Sequence, residues 1–155
     1  MHIPGRVRRP DGRGASVRVR FLVDTGALYT VLPERVWRKL GLKPTNTLEF
    51  GLADGTAIVR AVSEARFEIA RRTATSPVVL GERDDAPLLG AVTLETLGLM
   101  VNPLTREVRP MGLLPMYRED GPLLGVATLE TLGLMVNPLS RELVPMRLTL
   151  APLPV

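Results

Sequence analysis

The chain has 155 residues, 45% of them hydrophobic and 23% charged, with a net charge of +4; that is one domain's worth of polypeptide with enough apolar side chains for a sizeable core. It contains no Cys, one His (His2) and two Lys (Lys39 and Lys43), neither followed by Ser or Thr. Disulfides, thiolate nucleophiles, Cys-ligated metals and a phosphate-binding P-loop are therefore excluded, and a lone terminal imidazole is a poor basis for a Ser-His-Asp triad or a zinc site.

Arg6, Arg8, Arg9, Arg13, Arg18 and Arg20 crowd the N-terminus, while the remaining basic residues are scattered among acids. Aromatic residues make up only 4% of the chain, so no stacking ladder accompanies the charge. A solvated Arg-rich surface is the expected reading, with no nucleic-acid partner. Met1 to Pro10 lacks an apolar signal-peptide core and no apolar run approaches about 18 residues. A cytoplasmic protein with no membrane partner is expected.

In chain order, Val17, Val19, Phe21 and Val23 alternate with Arg18, Arg20 and Leu22, the period of a half-buried strand over Ser16–Val23. Asp11-Gly12 predicts a hairpin turn between Gly5–Pro10 and that strand. The strand runs into Asp24-Thr25-Gly26. Pro33 opens a short helix through Leu40, with Val36, Trp37 and Leu40 as its apolar stripe and Gly41 at its end. Trp37 is expected as a core anchor. Strands follow over Thr47–Leu52 and Thr56–Val62, around a turn at Ala53-Asp54-Gly55, and then over Ala65–Ala70 and Ser76–Leu80, with Arg71 and Arg72 near a turn. Glu82 to Ala86 reads as a polar loop.

Residues 83–111 and 118–146 are then a tandem repeat, identical at 22 of 29 positions at an offset of 35. Two copies are too few for a solenoid. Each copy reads as a buried strand end (Leu88-Leu89-Gly90; Leu123-Leu124-Gly125), a short helix, and a strand–turn–strand. In the first copy Thr93 is expected to cap a helix over Leu94–Leu97 closed by Gly98, and Leu99–Val101 and Arg106–Met111 flank Asn102-Pro103. Glu95 and Glu130, inside the two short helices, are expected to face solvent. Met100, Met111, Met116, Met135 and Met146 are read as core or surface filling, and Asp84 and Asp85 as loop.

The chemistry centres on Phe21-Leu22-Val23-Asp24-Thr25-Gly26-Ala27. An apolar strand delivers one carboxylate to a partly desolvated mouth, Thr25 offers a hydroxyl to lock the turn, and Gly26 permits close approach and can donate its N–H to the carboxylate. Alone, the triplet is also compatible with an Asx turn. With the hairpin at Asp54-Gly55 and with Leu88-Leu89-Gly90 before a short helix, residues 5–113 resemble the retropepsin-like aspartic proteases. This is the single-lobe family that includes retroviral proteases and their bacterial relatives.

The resemblance implies a mainly β fold, a closed barrel-like acid-protease lobe with one or two short helices. Residues 1–113 would be the protease domain and 114–155 the tandem copy with a tail. Asp24, Thr25 and Gly26 would be catalytic, and Ala27 with the flap residues Ala53, Asp54, Gly55 and Thr56 would bind substrate. Leu88, Leu89 and Gly90 would thread beside the active loop in support. Aspartic proteolysis needs two carboxylates around one water, and Asp11, Asp54, Asp84, Asp85 and Asp120 offer no second apolar-strand Asp-Thr-Gly. The dyad would therefore join Asp24 to Asp24 of a second copy of the chain, giving a homodimeric endopeptidase acting on peptide or protein substrates, with no cofactor or metal. The second copy departs from the family pattern: it could pack outside, swap into the partner, or compete with copy one for the same groove. A non-catalytic, protease-like binding or dimerisation module, its activity impaired by the extra copy, is the alternative. A nucleic-acid binder using the N-terminal Arg cluster is the weaker third.

Overall fold

One long strand organises the molecule. In the computed structural model, which describes residues 1–112, 122, 124–146 and 148–149, β5 (Ala57–Ile69) pairs on one side with β6 (Arg72–Leu80) and on the other with both β4 (Asn46–Gly51) and β1 (His2–Arg8). β1 pairs with β2 (Val17–Val23), β2 in parallel with β7 (Leu88–Leu89), β7 with β3 (Thr30–Leu32), and β3 in parallel with β6. Because β1 also pairs with β5, the ring β1-β2-β7-β3-β6-β5 closes. Closure removes the exposed edges that an open sheet would leave. The expected mainly β, barrel-like fold with few short helices is the fold observed.

The β1–β2 hairpin turns at Arg9 to Gly12, whose N–H reaches the Arg9 carbonyl at 2.9 Å. The expected helix appears as α1 (Glu34–Leu40), with Pro33 before it and Gly41 ending it. Trp37 packs half-buried against the core, donates its indole N–H to the Gly81 carbonyl at 2.8 Å, and carries the Arg38 guanidinium over its ring.

Two expectations need correction. Thr56–Val62 and Ala65–Ala70 are one continuous strand, because Ser63 and Glu64 keep the ladder with Val78 and Pro77; the strand ends at Ala70-Arg71, both with positive φ (50° and 62°), close to the turn expected near Arg71 and Arg72. Thr93 does not cap its helix. α2 spans Ala91–Thr96 with Gly90 at its N-cap, and the Thr93 hydroxyl is committed to partners in the core.

The main core fills the ring with Val7, Val19, Phe21, Leu32, Phe67 and Leu89 at its centre. A second cluster of Tyr29, Val31, Phe50, Val62, Val79 and Leu88 lies between the flap hairpin and the strand after the Asp24 loop. After α2, β8 (Leu99–Val101) and β9 (Val108–Pro110) form a hairpin. The second copy repeats this sequence of elements as α3 (Val126–Thr131), β10 (Leu134–Val136) and β11 (Leu143–Pro145), and β12 (Leu148–Thr149) lies parallel to β4. Leu123, Met116 and Asp120 lie outside the described residues. Among the described residues no helix is long and apolar enough to cross a membrane.

Candidate active site

Asp24 follows the last residue of β2, where the strand leaves its pairing with β7. Its backbone N–H is held by the Leu89 carbonyl at 3.1 Å, and the Leu22 N–H by the Pro87 carbonyl at 2.9 Å. The side chain is half-buried. Its Oδ1 accepts the Gly26 N–H at 2.9 Å, and the Ala27 N–H closes the turn on the Asp24 carbonyl at 3.2 Å. This is an Asx turn built at the mouth of a closed barrel. Thr25 and Gly26 are exposed and Ala27 is buried. Among the described residues no hydrogen bond forms to the Thr25 hydroxyl, so the expected lock on the turn does not arise within one chain; the Gly26 N–H alone holds the carboxylate.

Copy one braces this loop from behind. Leu88 and Leu89 sit in the parallel ladder with Leu22 and Val23. At Gly90 the backbones come so close that a β-carbon would collide with the Tyr29 carbonyl group, 2.6 Å from its oxygen, and lie 2.8 Å from the Leu28 oxygen. The first N–H groups of α2, from Ala91 and Val92, which lack helical partners, donate to the carbonyls of Ala27 and Leu28 at 2.9 and 3.0 Å. Thr30 Oγ1 accepts the Gly90 N–H at 3.0 Å and pairs with Thr93 Oγ1 at 2.6 Å, which in turn pairs with Ser76 Oγ at 2.9 Å. Sequence reasoning missed Thr30, Ser76 and Thr93 as a brace. The available signal was a hydroxyl residue in each of three separate segments otherwise apolar enough to be buried.

Ala53, Asp54, Gly55 and Thr56 form the tip of the β4–β5 hairpin and are all exposed. Gly55 takes φ +87°, a conformation that excludes most other residues. Asp54 Oδ1 accepts both the Thr56 hydroxyl (2.6 Å) and the Thr56 N–H (2.9 Å), and those bonds hold its carboxyl below the usual range, the hydroxyl contributing most. Among the described residues the tip's hydrogen bonds stay within its own hairpin, and none reaches Asp24. The stem does reach the loop strand: Phe50 packs edge-on against Tyr29 at 6.2 Å between centroids.

Copy two lies on this same side. The Tyr29 hydroxyl donates to the Glu130 carbonyl at 2.6 Å, Met146 packs on the second cluster, and β12 pairs with Phe50 and Gly51 of the flap strand. Burial, with a smaller contribution from Glu130, pushes the Tyr29 phenol up to about 12. Glu130 is half-buried rather than solvent-facing as expected; burial first, then the nearby Glu95, raises its carboxyl. Among the described residues no group of three His, Cys, Asp or Glu side chains is arranged to hold a metal ion.

The sequence profile described as aspartyl protease matches residues 7–116. The chain belongs to the aspartyl protease family. That span covers the Asp24 loop, the flap and all of copy one, and stops short of copy two. Aspartyl proteases are peptidases, and the resemblance read from Asp24-Thr25-Gly26, the flap and Leu88-Leu89-Gly90 is borne out at this level. Among solved structures the chain is similar to the protease of simian foamy virus (mac), with 18% identity and a TM-score of 0.46 over 61% of this chain and 92% of that one. It is also similar to a foamy viral protease-reverse transcriptase determined with an RNA/DNA hybrid, with 14% identity and a TM-score of 0.45 over 76% of this chain and 13% of that one. No curated protein sequence matches the chain.

Proposed function

We propose that the protein is an aspartic endopeptidase that hydrolyses extended peptides with a water held between the Asp24 carboxylates of two chains. The observation that carries this reading is the Asp24 loop itself: a half-buried carboxylate at the barrel mouth, oriented by the Gly26 N–H, with Thr25 and Gly26 exposed beside it. Each chain supplies one such loop, so a pair requires a two-fold axis. Two carboxyls at about 3 Å cannot both ionise and share one proton. The ionised one takes a proton from water as the water oxygen bonds to the peptide carbonyl carbon. The protonated one hydrogen-bonds the carbonyl oxygen. The C–N bond then breaks, a proton passes to the leaving amine, and a carboxylic acid remains. Thr25, whose hydroxyl makes no hydrogen bond among the described residues, would brace the two loops across the axis, and the Ala53–Thr56 tips would close over the substrate backbone. Residues 1–113 would form the catalytic unit and 114–155 the added copy.

Replacing Asp24 with Asn tests this directly. Peptide cleavage at mildly acidic pH, sensitive to pepstatin in the parent protein, should disappear; unchanged cleavage would remove Asp24 from the mechanism.

One observation favours the second reading, a non-catalytic binding or dimerisation module. Glu130, Met146 and β12 cover the apolar cluster between the flap stem and the Asp24 loop strand. Sedimentation separates the two, because a chain that stays single at all concentrations cannot assemble the dyad.

A further inference from the structure

Copy one fills a slot and copy two does not, although nearly all the residues that fit the slot are the same in both. In copy one Leu89 (0% exposed) and Leu97 (3%) are buried; their equivalents Leu124 (57%) and Leu132 (59%) are exposed. Thr93 is buried in the hydroxyl brace, and its equivalent Thr128 faces solvent. Around Gly90 there is no room for a β-carbon; around Gly125 none of the described residues comes within 4 Å of one.

Copy two nevertheless takes the same local form. α3 has the length and glycine N-cap of α2, and the β10–β11 register (Leu134↔Pro145) repeats that of β8–β9 (Leu99↔Pro110) at the repeat offset. The unit thus holds its shape without the slot, and it carries Leu124, Gly125, Thr128, Leu129, Leu132 and Leu134 where the slot requires Leu89, Gly90, Thr93, Leu94, Leu97 and Leu99. Among the fully buried positions of α2 the only change is Val92 to Ala127.

We propose that the two copies exchange in this slot, so that the chain has two registers of one barrel: residues 88–99 fill it in the first and residues 123–134 in the second. The first dominates for two reasons. The connection from β6 lengthens from residues 81–87 to 81–122 when copy two is used, which disfavours closure by about 15-fold, and Ala127 leaves unfilled the space of the Val92 methyls. The exchange also withdraws Glu130 from Tyr29 and Met146 from the second cluster, since both belong to the unit that moves. It therefore acts as a switch that uncovers the face beside the flap stem. Only the functional meaning of that uncovering rests on the proposed peptidase reading.

The test uses the full-length chain and reads folding rather than cleavage, so its failure is independent of the Asp24 chemistry. Four variants are compared by thermal unfolding and amide hydrogen exchange: Gly90→Val, Gly125→Val, Gly90→Val/Gly125→Val and Gly90→Val/Ala127→Val. Gly125→Val should match the parent. Gly90→Val, assisted where needed by Ala127→Val, should unfold cooperatively, with protection moved from residues 88–99 to 124–134. Gly90→Val/Gly125→Val should have no cooperative transition. Two outcomes overturn the proposal: Gly90→Val/Ala127→Val unfolded like the double-glycine variant, or Gly90→Val folded with protection still on residues 88–99.

Discussion

Thr30 and Thr93 share a 2.6 Å hydroxyl contact with both side chains fully buried, and Thr30 simultaneously accepts the Gly90 N–H. The strand after the Asp24 loop is thereby joined to copy one by polar bonds inside an apolar core, where an unmet hydrogen bond is costly. Every buried side-chain polar atom among the described residues has a partner. Thr30→Val keeps the shape, removes the hydroxyl, and leaves the Gly90 N–H without an acceptor. It should lower unfolding stability by about 1–3 kcal/mol in urea titrations. Loss within about 0.5 kcal/mol would mean that the brace adds no stability.

Asp24 sits at the surface end of β2 and contributes one hydrogen bond from the Gly26 N–H to holding the turn. Asn retains an acceptor there, so Asp24→Asn should leave the melting temperature near that of the parent. Peptide cleavage should fall by at least about 10²–10⁴-fold, the span of general acid–base effects. A large fall in both quantities would indicate a structural role instead.

The flap tip should respond to acid. Bonds from Thr56 lower the Asp54 carboxyl, so its contribution is complete above the ordinary aspartate range and is lost as pH falls through the depressed folded value. Protection of the Thr56 amide should follow that loss in hydrogen-exchange measurements, and Asp54→Ala should show weak protection at every pH. Equal protection in parent and variant would exclude Asp54 as the organiser of the turn.

Docking of copy two should have the opposite pH sense. Burial and Glu95 raise the Glu130 carboxyl in the docked arrangement. Protonation therefore favours docking; the gain is complete below the ordinary glutamate range and is lost as pH rises through the raised value. The Tyr29 phenol, pushed up to about 12, keeps its proton and donates throughout. Amide protection in α3 should rise on mild acidification. Glu95→Gln should raise it at neutral pH, and Tyr29→Phe should lower it. Protection in α3 that ignores both pH and Glu95 would contradict this account of the interface.

Much of the scaffold was legible from local pattern. The alternation of Val17 to Val23, the Asp11-Gly12 turn, and the Pro33 and Gly41 boundaries of α1 are short-range signals, and each appears where expected. The continuity of β5 was not legible, because Ser63 and Glu64 look like a break until the β6 ladder carries them. The turn expected near Arg71 and Arg72 does form, at Ala70-Arg71, although it lacks the Asn or Gly that usually marks positive φ. Thr93 misled because an N-cap and a buried hydroxyl brace use the same side chain, and only the long-range approach of Thr30 and Ser76 decides between them. The candidate site divided likewise. Asp24, Gly26, Leu89 and Gly90 are joined through the loop and its brace, whereas among the described residues no hydrogen bond links the Ala53–Thr56 tip to them. Glu130 reaching Tyr29 is a contact between distant segments that no periodicity announces.

Specific peptidase activity measured against chain concentration tests the central claim most directly. If the working site is built from two Asp24 loops, activity per chain should collapse on dilution, in step with the disappearance of dimer in sedimentation, and recover on concentration. Activity per chain that stays constant down to concentrations where only single chains remain would contradict it.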